Sequence, residues 1–265
     1  MIFYKTSEEI ELSRLSNILV SKTLGFVGGL LKVGKTSLEI DSAAEEFIRD
    51  HGGIPGFKGY RGFPASLCMS LNDSVVHGIP DSHVFGSGDV VSVDCGVLMN
   101  GFYGDAAYTF AFGEISDEVI KLLVVTRQSL QEGIQKCIPG NRVGDVSYAI
   151  QQYCEVQHPY GVVRELVGHG VGRNLHEEPE VPNFGFRGKG PMLKEGMIIA
   201  IEPMVNLGTR HVKQSNDGWT ITTRDGKPSA HFEHSVAITQ RGPDILSDHS
   251  FAKLSIKNNE ELKDF

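Results

Sequence analysis

Four carboxylates in this chain of 265 residues border strongly apolar runs, where an ionised acid is costly unless it is paired or bound to a cation. Asp94 follows "VVSV" and Asp105 precedes "AAYTF"; across the intervening Gly-rich turn they read as the end of one short strand and the start of the next. Glu202 closes "MIIAI", and Glu233 lies within "HFEHSVAIT". His169 sits between glycines in "LVGHGVGRNLHEEP", with His176 seven residues on. Four carboxylates and one imidazole suit two divalent ions of the Mn, Fe, Co or Zn kind. Two ions about 3.5–4 Å apart can share a water, lower its pKa and stabilise a tetrahedral intermediate, which is hydrolytic chemistry.

Each residue also has a plainer reading. A lone aspartate at a strand end is usually a turn residue, but four acids at apolar strand ends, two of them in matched positions, are not explained that way. Gly168 and Gly170 can form a turn, or let backbone and substrate come close. His77 in "NDSVVHGIP" on its own reads as a turn histidine. His231 and His234 flank Glu233 and are expected to point away from its side of the strand, with structural or supporting roles. Cys95 is expected on the face opposite Asp94, and His51, His83, His158, His211 and His249 have no supporting pattern.

The stretch "GLLKVGKT", residues 29–36, fits the phosphate-loop pattern G-x-x-x-x-G-K-[ST]. That motif needs a buried strand before it and a helix after it. The segment before it reads instead as an amphipathic helix over about 7–24, so the match is taken as a helix–loop–helix connection.

The elements that must hold these residues follow from local signals. Thr6-x-x-Glu9 is a capping box ahead of the helical stripe Ile10, Leu12, Leu15, Ile18, Leu19 and Leu24. A second helix fits 37–50, closed by Gly52-Gly53. Strands dominate about 66–113, helices return at about 116–136 and 141–157, the latter opening on Asn141, and strands and loops fill about 162–240. Helices then strands, twice, indicate an α+β protein. "GDVVSVD" and "GMIIAIE" match position by position, and each follows a His-x-x-Pro-acid motif, at His77 and at His176. The expectation is one catalytic domain, 1–265, built from pseudo-symmetric halves of roughly 1–115 and 116–250.

A net charge of −8 argues against a protein whose main business is gripping nucleic acid, and no apolar run is long enough to span a bilayer. The four cysteines form no CxxC pair and the first residues show no secretory signal, so reduced thiols and a cytoplasmic location are expected.

Taken together, "SLNDSVVHGIPD", "VSVDCG…FYGDAAYTF", "GHGVGRNLHEEP", "IAIEPM" and "FEHSVAIT" resemble the methionine aminopeptidases, pita-bread metallopeptidases that remove initiator methionine. The resemblance runs from "IFYKTSEEIE" to about residue 245, and the length fits the short bacterial-type form of type I. It implies an α+β pita-bread (creatinase/aminopeptidase) fold, two pseudo-symmetric halves around a central antiparallel sheet. It makes Asp94, Asp105, His169, Glu202 and Glu233 the ligands of two divalent ions (Co, Mn, Fe or Zn), with Asp105 and Glu233 bridging. It gives His77 a contact to substrate that stabilises the tetrahedral species, His176 a contact to the scissile peptide from the other side, and Glu202 a second role as proton shuttle to the leaving amine. Tyr60, Cys68 and Trp219 fall at positions of the methionine pocket. Phe57, Phe63 and Leu175 replace a Cys, a Tyr and a Phe of bacterial relatives with groups that are still compact or apolar, which keeps the pocket suited to a thioether. The implied substrates are peptides and nascent chains with N-terminal methionine and a small second residue, met through a transient ribosome contact. A proline-directed peptidase of the same fold and a non-catalytic pita-bread binding protein are the alternatives.

Overall fold

Thr6 and Thr36 begin the first two helices by the same local device. Each hydroxyl accepts from the backbone of the glutamate three residues on, Glu9 and Glu39, and each glutamate accepts from the threonine's own backbone. In the computed structural model, which describes residues 1–265, these helices are α1 (Ser7–Leu30) and α2 (Ser37–Asp50). Helix α1 runs six residues past Leu24, where the apolar stripe stops, through glycines that read as a loop. Gly25 and Gly28 lie against Phe251 and Ser255 of α5 (Ser250–Lys257), so it is close helix packing that keeps this segment helical.

Helix α3 (Asp117–Ile134) starts at Ser116, whose side chain accepts from Val119 N. Helix α4 (Val143–Gln151) continues into a π-turn over Gln152–Val156. Asn141 does not cap α4 as expected: its amide donates to Lys136 O, and the Asp145 carboxylate accepts from the backbone of Arg142 instead.

Every strand pairing is antiparallel. The longest hairpin joins Val90–Met99 to Phe102–Ala111 through Asn100-Gly101, both with positive φ, as a two-residue turn of the favoured hand requires. The strands are therefore longer than expected, and Asp94 and Asp105 lie inside them rather than at their ends. Leu67–Leu71 flanks this hairpin. A second five-stranded sheet pairs Ile198–Ile201 with His234–Thr239 at its centre, with Val167–Gly170 and Glu177–Pro182 on one side and Gly242–Ile245 on the other. Two three-stranded sheets complete the framework.

The long hairpin and the pair Ile198–Ile201/His234–Thr239 meet edge to edge. Glu233 N donates to Ala107 O at 3.0 Å, Ser235 Oγ to Asp105 O at 2.8 Å, and Thr109 Oγ1 to His231 O at 2.7 Å. One apolar core runs through both, from Leu24 and Ile48 through Val93 and Phe110 to Ile199 and Val236. No helix is long and apolar enough to cross a membrane.

Candidate metal centre and substrate cavity

Register decides which side chains meet. Asp94 pairs with Ala107 and Gly96 with Asp105, so these four positions share one face of the long hairpin and the two acids stand diagonally across it. In the five-stranded sheet Ile201 pairs with His234, so Glu202 and Glu233 leave that ladder at the same end. His169 comes from Val167–Gly170, where the register shifts between Gly168 and Gly170. Its Nδ1 lies 2.8 Å from Gly170 O, a contact that fixes the ring with Nδ1–H donating and Nε2 free. Nε2 stands 3.7 Å from Asp105 Oδ2 and 3.7 Å from Glu202 Oε1.

Asp105, His169 and Glu233 bring ligand atoms within 4.8 Å of one another, and all three residues are buried. Asp94 Oδ1, Asp105 Oδ1 and Glu233 Oε1 are buried oxygens with no hydrogen-bond partner. Desolvation is the largest cause pushing all four carboxyls upward. Glu202 adds to it at Asp94; Asp94 and Glu202 add at Asp105; Asp105, Asp94 and Glu202 add at Glu233. Desolvated acids this close cannot all ionise against one another; a cation between them removes both the repulsion and the orphaned oxygens. Hard oxygens with one imidazole nitrogen fit a divalent transition metal.

The other end of the site is apolar. Phe57, Phe63, Ala65, Cys68 and Leu175 form a small buried cluster, bordered by Tyr60 and Trp219, with the Phe63 and Trp219 rings edge to face at 5.2 Å. A cavity of about 140 Å³ joins this cluster to the carboxylates. Its walls contain all the residues that the sequence singled out: Asp94, Asp105, His169, Glu202 and Glu233 at the acidic end, His77 and His176 between, and Tyr60, Phe63, Cys68 and Trp219 toward the apolar end. Phe57 and Leu175 line it too.

His77 follows the strand Ser74–Val76 with φ of +59°, a left-handed backbone that costs roughly 1–3 kcal/mol for a residue other than glycine. Its imidazole is pushed down to about 4, by burial first and His231 second, and is neutral at pH 7. His176 Nδ1 lies 3.0 Å from Tyr60 Oη, and its ring packs on that of His169 at 4.1 Å. Desolvation, then His169, Arg61 and His77, push it downward as well.

Two groups near the site escaped the sequence reading. His231 was expected to point away, yet it lies two residues before Glu233 and alternation brings it to the same side. It is buried, with Nε2 3.5 Å from Glu202 Oε2. The second is Arg61, in "GYRGF", which lines the cavity at its mouth. His234 does point away, its Nδ1 2.7 Å from Ser247 Oγ and its ring stacked on His249. His249, given no role, supports the site from behind, with Nε2 3.0 Å from Glu233 O. Cys95 pairs with Ala106 on the opposite face, as expected.

The phosphate-loop reading fails on structure. Gly29 and Leu30 are the last residues of α1, so no strand precedes the loop, and Lys35 Nζ turns to Glu39 Oε1 at 3.2 Å.

Residues 11–240 match the family described as metallopeptidase family M24. The chain is 50% identical to the methionine aminopeptidase of Clostridium acetobutylicum over 248 residues, which is 93% of this chain and 99% of that protein. It superposes on the crystal structure of methionine aminopeptidase from Rickettsia prowazekii with a TM-score of 0.92 at 38% identity, over 94% of this chain and 100% of that one. A prolidase from Pyrococcus horikoshii shares the fold, with a TM-score of 0.74, but at 18% identity, and the match spans 63% of the prolidase chain.

Proposed function

The chain belongs to metallopeptidase family M24, and from that premise we propose that it removes the initiator methionine from peptides and nascent proteins. The observation that carries this reading is the single cavity that joins a cluster of unpartnered carboxylates to an apolar pocket. The fold is the α+β pita-bread fold of that family, which we read as one catalytic domain of two similar halves.

Asp94, Asp105, His169, Glu202 and Glu233 would hold two divalent ions, Co, Mn, Fe or Zn, with Asp105 and Glu233 shared between them. When bound, the ions supply acidity to a water and positive charge opposite the developing oxyanion. The methionine side chain enters the pocket of Phe57, Phe63, Cys68, Leu175, Tyr60 and Trp219, which places the scissile peptide between His77 and His176. Both histidines are neutral at pH 7 and can donate a hydrogen bond to the reacting peptide without carrying charge into the site. Glu202, at the acidic end of the same cavity, would take a proton and return it to the leaving amine. His231 Nε2 lies 3.5 Å from its Oε2.

The resemblance to the methionine aminopeptidases implies a small second residue. Nascent chains as substrates place the reaction in the cytoplasm, with a transient contact to the ribosome and no nucleic-acid specificity; four free, buried cysteines suit a reducing compartment. A proline-directed reading rests on the fold alone.

The deciding experiment supplies the metal-free protein with Mn, Fe, Co or Zn and measures release from Met-Ala-Ser, Met-Lys-Ser and Ala-Pro. Methionine should leave Met-Ala-Ser only with metal present, and far more slowly from Met-Lys-Ser. Preferential cleavage of Ala-Pro, or full activity without metal, would overturn the reading.

A further inference from the structure

Arg61 takes no part in any step described so far, yet its setting is unusual. It lies between Gly59 and Gly62, with φ of +84° and +90°, and is itself left-handed at +49°. Backbone held in that region by a residue other than glycine persists only where the surroundings impose it. Its guanidinium carbon stands 5.4 Å from the centre of the Tyr60 ring. Arg61 has no ion-pair partner, a state it shares with Arg127, Arg142, Arg187, Arg210, Arg224 and Arg241, but among the arginines it alone lines the cavity.

Its position relates it to the substrate. Phe57, Phe63, Cys68 and Leu175 are buried, while Arg61 and His176 are exposed, so the chain beyond the cleaved bond leaves past those two. Both also line a groove of about 470 Å³ that continues from the cavity along Glu178 and Glu180. A residue spans about 3.3–3.6 Å when extended, so the third residue of a substrate begins about 3.5 Å and ends about 7 Å beyond the scissile bond, within reach of an arginine at the mouth.

We propose that Arg61 is a specificity-determining residue that favours substrates with an acidic third residue. This rests on the aminopeptidase reading of the same site. The preference is confined to that position. Glu177 is neutralised by Lys5 at 2.5 Å, whereas Glu178 and Glu180 are exposed along a strand leading away from His176, about 7 and 13 Å on at the usual rise per residue. Those two carboxylates face later residues of the substrate and give an acid no advantage there.

The test uses C-terminally amidated peptides, so that no terminal carboxylate competes for Arg61. With the metal-loaded protein, kcat/KM for Met-Ala-Glu-Ser-Leu should exceed that for Met-Ala-Lys-Ser-Leu by about 5–30-fold at low salt and by much less at 0.5 M salt, as expected of a solvent-exposed charge pair. The ratio should persist in Arg61→Lys, fall below about 2 in Arg61→Gln and invert in Arg61→Glu. Because each ratio is taken on one preparation, a reduced folded fraction cancels. Moving the glutamate to the fifth position should abolish its advantage. A ratio near 1 in the unaltered protein, or a preference that survives Arg61→Gln, overturns the proposal. Failure to cleave Met-Ala-Gln-Ser-Leu at all would instead overturn the aminopeptidase reading.

Discussion

Gly96 lies directly across the hairpin from Asp105, and the space a side chain would occupy there is filled by the Phe57 ring, whose Cε1 would stand 2.5 Å from an added Cβ. The metal end and the apolar end of the cavity therefore share one glycine. Gly96→Ala should push Phe57 into the methionine pocket, lowering stability by about 1–3 kcal/mol as overpacking does and raising KM for Met-Ala-Ser. Thermal melting and steady-state kinetics check this; an unchanged KM would show that Phe57 does not depend on Gly96.

Asp105 and His77 line the same cavity but should fail in different ways. Asp105→Ala should lower both bound metal and rate. His77→Asn keeps a residue that tolerates left-handed backbone, so it should melt no lower than the unaltered protein. It should retain its metal and lose roughly 10²–10⁴ in kcat, with KM changed much less. A turn histidine with no chemical role would leave kcat intact, and loss of metal from this variant would refute the division between the two residues.

Metal and protons should compete in a defined pH window. The Asp94 and Glu202 carboxyls rise to about 7 in the fold, from ordinary values near 4. Between those values the metal-free fold holds more protons than the unfolded chain, so their contribution to stability is complete below about pH 4 and is lost as pH rises through about 7. Chelated protein should thus melt lower at pH 8 than at pH 5.5, and the gain in Tm on adding Mn should grow over the same interval. A metal-induced gain that shrinks toward pH 8 would contradict this.

The Lys5–Glu177 pair has side chains only 5% and 2% exposed, and Glu177 also accepts from Asn174 N. Lys5→Met should strand a buried carboxylate next to His176 and cost about 3–5 kcal/mol. Adding Glu177→Gln should recover part of that in a melting experiment; no recovery would mean that packing, not charge, holds the segment.

Lys35→Ala should change neither Tm nor methionine release, because Lys35 meets only the exposed Glu39. Loss of activity in a folded variant would reopen the phosphate-loop reading.

The residues that converge on the cavity were legible because each acid interrupts an apolar run, a pattern that water-facing turns do not produce. Their placement was less so. A carboxylate inside an apolar strand looks like the strand's end, and Gly96 and Gly104 imitate turn glycines, so the true turn at Asn100-Gly101 was passed over. The last turns of α1 were hidden because their helicity depends on packing against α5, which no local pattern encodes. His231 needed only correct counting along a strand, two residues from Glu233. Arg61 left no periodic signal: its reach into the mouth follows from the positive φ values of Gly59, Arg61 and Gly62 within the segment 59–62.

The seam between the long hairpin and the five-stranded sheet sets when this enzyme can come into being. Ser235 reaches Asp105 across 130 residues of chain, and Glu233 is fixed by the same seam. No early fragment can hold all five residues of the proposed ligand set, because three of them are contributed by sequence that closes the longest loops, whose ordering is slow. Metal uptake during refolding should therefore lag behind helix formation, and ions added early should stabilise the finished topology rather than speed the search for it.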